Sequence, residues 1–247
     1  MIAPNKAPAA LLETLNHKAR TVAELGVQLF IPIHFDAAFS QIEAAEFIQR
    51  LTVAPIRTIA VGEDWRFGHN RSGDANFLRA EAVRRGFQLE AVAPVMHDGE
   101  RISSTRIRQA IRDGNLSAAE QMLGRIYGVC GVVIEGKKLG RTIGFPTANL
   151  QTGDAQLPPD GVWAVQVRLP DGTHQGGVAN LGTRPTVNGT SKLLEVHLFD
   201  SCNDLYGKEL EIGFRKHLRP ECKFESIDSL KAQIQKMHLM REKFWRI

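Results

Sequence analysis

LLEVHLFD, residues 193–200, alternates: Leu194, Val196 and Leu198 fall on one face of an extended chain, and Glu195 and His197 on the other. That period of two predicts a strand with one apolar face. The same rhythm holds on both sides of it. YGVCGVVIEG (127–136), GVWAVQVRL (161–169), HQGGVANLG (174–182) and ELEIGF (209–214) read as further short strands, separated by turns rich in Gly, Pro, Asp and Asn. Strands spaced in this way predict a small antiparallel barrel. From Ser226 the spacing changes, and Ile227, Leu230, Ile234, Met237 and Met240 make one face of a helix.

Upstream of Tyr127 the pattern differs. LLETLNHKARTVAELG (11–26), EAAEFIQRL (43–51) and ANFLRAEAVRRG (75–86) read as helices. VQLFIPI (27–33), TIAVGE (58–63) and QLEAVAPV (88–95) read as strands, the first of them buried. Alternation of this kind predicts a parallel sheet with helices on its faces. ISSTRIRQAIRDG (102–114) is expected to be a helix opened by Ser103 or Ser104, and Ser117 with Glu120 reads as the capping box of a last short helix ending at Gly124. The change of rhythm puts a domain boundary near 122–126, between an α/β half of residues 1–124 and an all-β half of residues 125–247.

A chain of 247 residues with 43% hydrophobic and 23% charged residues has the composition of a soluble globular protein of two ordinary domains. The net charge of +4 and pI of about 9.1 suit anionic ligands, nucleotides or nucleic acid. Cys130, Cys202 and Cys222 are too scattered for a disulfide framework or a zinc site and suit reduced thiols. No apolar run approaches a membrane span, and the opening MIAPNKAP has no signal-peptide core, so a cytoplasmic protein without a membrane partner is expected.

GRTIGFPTANL (140–150) follows directly on EGKK (135–138). Glycines let backbone approach a ligand, Lys137, Lys138 and Arg141 bring positive charge, and Pro146 stiffens the bend before Thr147 and Asn149. Such a bend can hold a phosphate and a hard cation together; a plain loop with a basic edge has the same composition. Glu195 on its strand can act as an acceptor for phosphoryl transfer or can simply face water. GVANLGTRPT (177–186) adds a Gly- and Asn-bearing turn, and LRPECKF (218–224) adds Arg219 and Phe224, which can pair with an anion and pack on a flat ring, or serve as a surface charge and a core aromatic. No G-x-x-x-x-G-K-[ST] loop is present.

GRTIGFPTAN, GVANLGTRPT, LLEVHLFD, DLYGKELEI and LRPECKFESIDSLKAQI occur in an order that resembles the riboflavin kinase domain of bacterial bifunctional riboflavin kinase/FMN adenylyltransferases, over residues 127–247, with PTAN the most specific motif. The resemblance implies a six-stranded Greek-key barrel with a C-terminal helix. It implies Mg2+ and ATP held with Thr147 and Asn149, and Gly136, Lys138, Gly140, Arg141 and Pro146 along the nucleotide. It implies riboflavin beside Asn180, Gly182, Thr186, Arg219 and Phe224, Glu195 as the base, and FMN as product. Met237 departs from the pattern, because related domains usually carry an acid there.

The first half resembles the Rossmann-like nucleotidyltransferase domain of the same enzymes. VGEDWRFGHNRSGD (61–74) looks like its flavin-side loop, with Asp64 and Phe67 in place and Trp65 where Phe is usual. ISSTRIR (102–108) looks like its second nucleotide motif, with Ser103, Ser104, Thr105 and Arg108 toward phosphates; as a bare sequence, ISST is equally an ordinary helix cap. The 247 residues contain no G-x-F-D-G-x-H-x-G-H turn, whose histidines stabilise the α-phosphate in that family. The expectation is therefore an incomplete adenylyltransferase domain and a chain that makes FMN and stalls there. Conversion through to FAD is one alternative. A basic RNA-binding barrel is another, against which stand only two Tyr and three Trp and no aromatic ladder along the strands.

Overall fold

The computed structural model describes residues 10–136, 140, 144–186, 189–200 and 204–222, with the backbone alone at 184–186 and 189–191. The expected tail helix from Ser226 and Phe224, Lys138 and Arg141 lie outside these residues. Helix α1 (Leu15–Glu24) starts where the Thr14 hydroxyl accepts the His17 N–H. Next come α2 (Ala44–Leu51), β1 (Thr58–Gly62) and α3 (Ala75–Arg85), the last capped by Asp74, which accepts the Phe77 N–H. Strand β2 (Gln88–Val92) stops short of Pro94, which has no N–H for a ladder. A two-residue pair, β3 (Met96–His97) and β4 (Glu100–Arg101), precedes α4 (Ser104–Arg112) and α5 (Leu116–Leu123). The Ser103 hydroxyl caps α4 by accepting the Arg106 N–H. The expected Ser117 box at α5 is not the cap: Asn115 accepts the Ala118 N–H, which puts Ser117 inside the first turn. An Asn two residues earlier satisfies the same free donors, and the S-x-x-E spacing is then coincidental.

Contacts group residues 27–102 as one unit. In it β1 and β2 run parallel, from Thr58 opposite Gln88 to Gly62 opposite Val92. Ile59 and Phe87 pack with Ile48 of α2 and with Leu78 and Ala82 of α3. The buried strand expected at 27–33 does not form. Leu29, Ile31 and Ile33 are 73%, 67% and 55% exposed, and no described strand pairs with the segment. Alternation is necessary for a half-buried strand, but a ladder neighbour makes it one.

The second unit comprises residues 10–26 and the described residues from Ser103 onward. Its strands are β5 (Gly128–Ile134), β6 (Ala148–Gln151), β7 (Gly161–Arg168), β8 (His174–Thr186), β9 (Gly189–Leu198) and β10 (Glu209–Arg219). All pairs are antiparallel, and they close in the order β10-β5-β6-β9-β8-β7. The sixth strand, β6, is the end of the PTAN stretch itself, too short for its period to be read. Val133, Leu150, Leu194 and Leu181 lie in one register row and are all buried, so this face is the inside of the barrel.

Helix α1 docks on β5, β7 and β10 through charge. His17, Arg20 and Glu24, at helical spacing on one face, meet Glu211 (3.3 Å), Glu209 (2.7 Å) and Arg168 (2.6 Å) respectively. The Arg20 guanidinium also donates to Cys130 Sγ at 2.9 Å, and burial pushes that thiol up to about 12. The change of sequence rhythm near 122–126 thus falls inside a contact unit, because local periodicity does not record which distant helix packs on a barrel.

Two outcomes follow from these contacts. Asn115→Ala should lower stability by about 1 kcal/mol, whereas Ser117→Ala should change it by less than about 0.5 kcal/mol, as read from denaturant unfolding. The second concerns acid. The His17 hydrogen bond, opposed by burial and helped by Arg20 and Arg168, holds the Glu211 carboxyl below the usual glutamate range. A folded pKa below the unfolded one gives stability that is full above the unfolded value of about 4.3 and is lost as pH falls through the folded value. Glu211→Gln should therefore flatten the decline of the unfolding midpoint below about pH 5.

Candidate functional site

The bend before β6 is tight because two glycines leave no room for side chains. The Gly140 carbonyl accepts the Phe145 N–H at 2.8 Å. A Cβ at Gly140 would lie 2.4 Å from the Phe145 carbonyl oxygen and 3.3 Å from Thr147 Oγ1, and one at Gly136 would lie 2.0 Å from Asn149 Nδ2. Bare backbone at 136 and 140 thus lies against both Thr147 and Asn149. Thr147 and Pro146 are exposed and Asn149 half-buried.

On the barrel, Asn149 of β6 is opposite Glu195 of β9, and Glu195 is opposite Asn180 of β8. The row continues through Val162 of β7 to Arg219 of β10. Side chains directly opposite one another share a face. This face is the reverse of the Leu150–Leu194–Leu181 row, and Asn149, Glu195 and Asn180 are each part-exposed on it. Three residues that the sequence singles out from separate motifs are therefore neighbours across three strands.

Two residues join them that sequence reading passed over. His197, on the Glu195 face of β9, is buried, and its Nδ1 lies 2.9 Å from the Pro146 carbonyl. Glu221 accepts from Asn180 Nδ2 at 3.2 Å, and a Cβ at Gly182 would lie 2.6 Å from its Oε1. The alternation of LLEVHLF already puts His197 beside Glu195. Nothing in LRPECKF marks Glu221. Arg219 donates to the Pro220 carbonyl (2.9 Å) and to Cys222 Sγ (3.0 Å). Thr186 ends β8, and its side chain is not described.

The residues expected in the first half sit in two places. Asp64 makes a two-pronged ion pair with Arg101 (2.5 and 2.9 Å), whose guanidinium holds its carboxyl below the ordinary aspartate range. Phe67 is buried, stacked on Trp65 with ring centres 4.3 Å apart. In the second unit, Ser103 caps α4, Ser104 and Thr105 are exposed in its first turn, and Arg108 donates to the Ala10 carbonyl at 2.7 Å.

Among the described residues one further group has metal-ligating chemistry. His17, Cys130 and Glu211 bring possible ligand atoms within 4.8 Å of one another. A cation is already there: the Arg20 guanidinium lies on Cys130 and 3.6 Å from Glu211. The group reads as the ionic contact that seats α1.

A family model described as riboflavin kinase matches residues 123–242, and one described as FAD synthetase matches residues 1–106. The bifunctional riboflavin kinase/FMN adenylyltransferase of Escherichia coli K12 is 43% identical over 247 residues, 99% of this chain and 79% of its own. Its counterpart in Haemophilus influenzae is 43% identical over 93% of this chain and 75% of its own, and that of Pseudomonas fluorescens 41% over 94% and 74%. The solved structure of a macrolide-efflux protein from Streptococcus pneumoniae superposes with a TM-score of 0.80 at 30% identity, over 94% of this chain and 76% of that one. Among the described residues, no helix is long and apolar enough to cross a membrane.

Gly136→Ala tests the close approach at the bend. A Cβ there overlaps the amide end of the half-buried Asn149 side chain, which can rotate, so the variant should stay folded, lose less than about 1 kcal/mol, and show Asn149 turned away from residue 136 in a crystal structure. An unmoved Asn149 would contradict the contact.

Proposed function

The chain belongs to the family of bacterial bifunctional riboflavin kinase/FMN adenylyltransferases, and on that footing we propose that its barrel phosphorylates riboflavin with ATP. The γ-phosphate passes to the 5′-hydroxyl of the ribityl chain, and FMN and ADP leave. The observation that carries this reading is the Asn149–Glu195–Asn180 row beside the glycine-lined bend: a carboxylate on a strand paired on both sides, flanked by two amides.

A ribityl hydroxyl is a weak nucleophile. Glu195 orients it and takes its proton as the new P–O bond forms and the bond from the γ-phosphorus to the β,γ-bridging oxygen breaks. A base on a strand held by two ladders keeps its distance to the reacting oxygen, which is where positioning lowers a barrier. Asn180 and Gly182 form the flavin side, to which the family resemblance adds Thr186, Arg219 and Phe224. Gly136, Gly140 and Pro146 form the nucleotide side, where bare backbone lets phosphates come close, with Lys138 and Arg141 supplying counter-charge.

The donor set fits magnesium. The Thr147 hydroxyl and the Asn149 amide oxygen are hard ligands, and an ion that keeps much of its water needs few from protein when phosphates supply the rest. Bound with ATP, magnesium neutralises phosphate charge. The two glycines support the fit, because a side chain at 136 or 140 would occupy the space beside these ligands.

A second reading, that the chain also adenylylates FMN to FAD, is favoured by the FAD synthetase match over residues 1–106 and by the bifunctional relatives. Product analysis separates the two. Riboflavin, ATP and Mg2+ yielding FMN alone assign the kinase; FMN followed by FAD and pyrophosphate assigns both.

Thr147→Ala should lower kcat for FMN formation about 10²–10³-fold, the scale on which a lost transition-state contact is felt, with the unfolding midpoint retained. A Thr147→Ala enzyme turning over at the wild-type rate would overturn the assignment of the bend.

A further inference from the structure

His197 has no part in the reaction as derived so far, yet it is 8% exposed and lies on the face of β9 that carries Glu195. A buried imidazole keeps hydrogen-bond partners. The Pro146 carbonyl, 2.9 Å from Nδ1, can only accept, so Nδ1 carries the proton. Burial pushes the His197 pKa below the ordinary histidine value, against the opposing pull of that hydrogen bond. The ring is therefore neutral at pH 7, in the Nδ1–H tautomer. The ring makes T-shaped contacts with Phe145 (ring centres 5.5 Å apart, planes at 81°) and Phe199 (6.3 Å, 80°).

We propose that His197 is a positioning residue for the nucleotide: its Nδ1–H holds the Pro146 carbonyl and so fixes the orientation of Thr147. The physical link is the peptide plane. The Pro146 carbonyl and the Thr147 nitrogen and Cα belong to one planar unit, so anchoring the oxygen anchors the plane from which the Thr147 side chain departs. Pro146 has no N–H, which leaves its carbonyl as the hydrogen-bonding group by which the ring holds this residue. One strand thereby carries both Glu195 and, two residues on, the clamp for the bend. The spacing between the two sides of the site is then set by β9 rather than by a loop. This inference rests on the reading that Thr147 helps hold Mg–ATP.

Two variants of the full chain divide the role. His197→Phe keeps a ring against Phe145 and Phe199 and removes the donor; His197→Asn keeps a nitrogen donor near the Nδ1 position and removes the ring. His197→Phe should lose about 10–100-fold in kcat/KM for Mg–ATP, the usual cost of removing a group that orients a ligand, with KM for riboflavin little changed. His197→Asn should recover most of that loss. Calorimetric titration with Mg–ADP should show the same order among the three proteins without turnover. Nitrogen-15 imidazole spectra of the wild type should show a protonated Nδ1 at neutral pH. Wild-type nucleotide affinity in His197→Phe overturns the inference. So does a loss that is equal for nucleotide and riboflavin in both variants and accompanied by a lowered unfolding midpoint. Thr147→Ala, run in parallel, tells the two failures apart: full turnover there removes the premise, whereas impaired turnover there beside a normal His197→Phe removes only the clamp.

Discussion

The register of β9 between β6 and β8 is the constraint from which the rest of the second unit follows. In a strand pair, a slip of one residue carries every side chain to the opposite face. Leu194 and Val196 are buried, so a slip would expose them and bury Glu195, and the apolar row would no longer meet Leu150 and Leu181. Packing inside the barrel thus fixes chemistry outside it. The same ladders that keep the leucines together keep Glu195 opposite Asn149 on one side and opposite Asn180 on the other. Closure adds to this, because a strand with neighbours on both sides has no free edge along which to shift.

Helix α1 shows a different kind of cohesion. Its docking face carries His17, Arg20 and Glu24, and each meets an opposite or hydrogen-bonding partner on β10 or β7. Part-exposed ion pairs contribute modestly to stability but are selective in what they meet, and this suits a helix whose place is set by charge pattern. The chain leaves this unit after α1, builds residues 27–102, and returns at Ser103. The two units are interleaved in sequence, although their folds read as consecutive halves.

Some residues that the sequence singles out have a structural part as well. Ser103 is the helix cap that ISST also allowed, and Phe67 lies in an aromatic core with Trp65, Phe47 and Phe77. VQLFIPI has the composition of a strand but no ladder neighbour among the described residues, and its apolar side chains face outward. Ser117 has the spacing of a capping box and yields to Asn115, whose side chain reaches the free N–H groups first. For VQLFIPI and Ser117 the sequence expectation fails, because a local signal marks only a capacity and the neighbours decide its use.

The sequence by itself determined the class of each half, the strands of the barrel apart from β6, and the motifs whose order resembles the flavin-phosphorylating family. Those features are written in periods of two and 3.6, in turn residues and in short motifs, all of which act over a few positions. It also put Glu195 and His197 on one face, since alternation along a strand is local. Tertiary structure alone decided that Asn149, Glu195 and Asn180 form one row, that His197 reaches the Pro146 carbonyl fifty-one positions away, and that α1 belongs with the barrel. Pairing partners, register and docking depend on which distant surfaces bury one another. That is a property of the whole closed sheet, and no window of the sequence contains it.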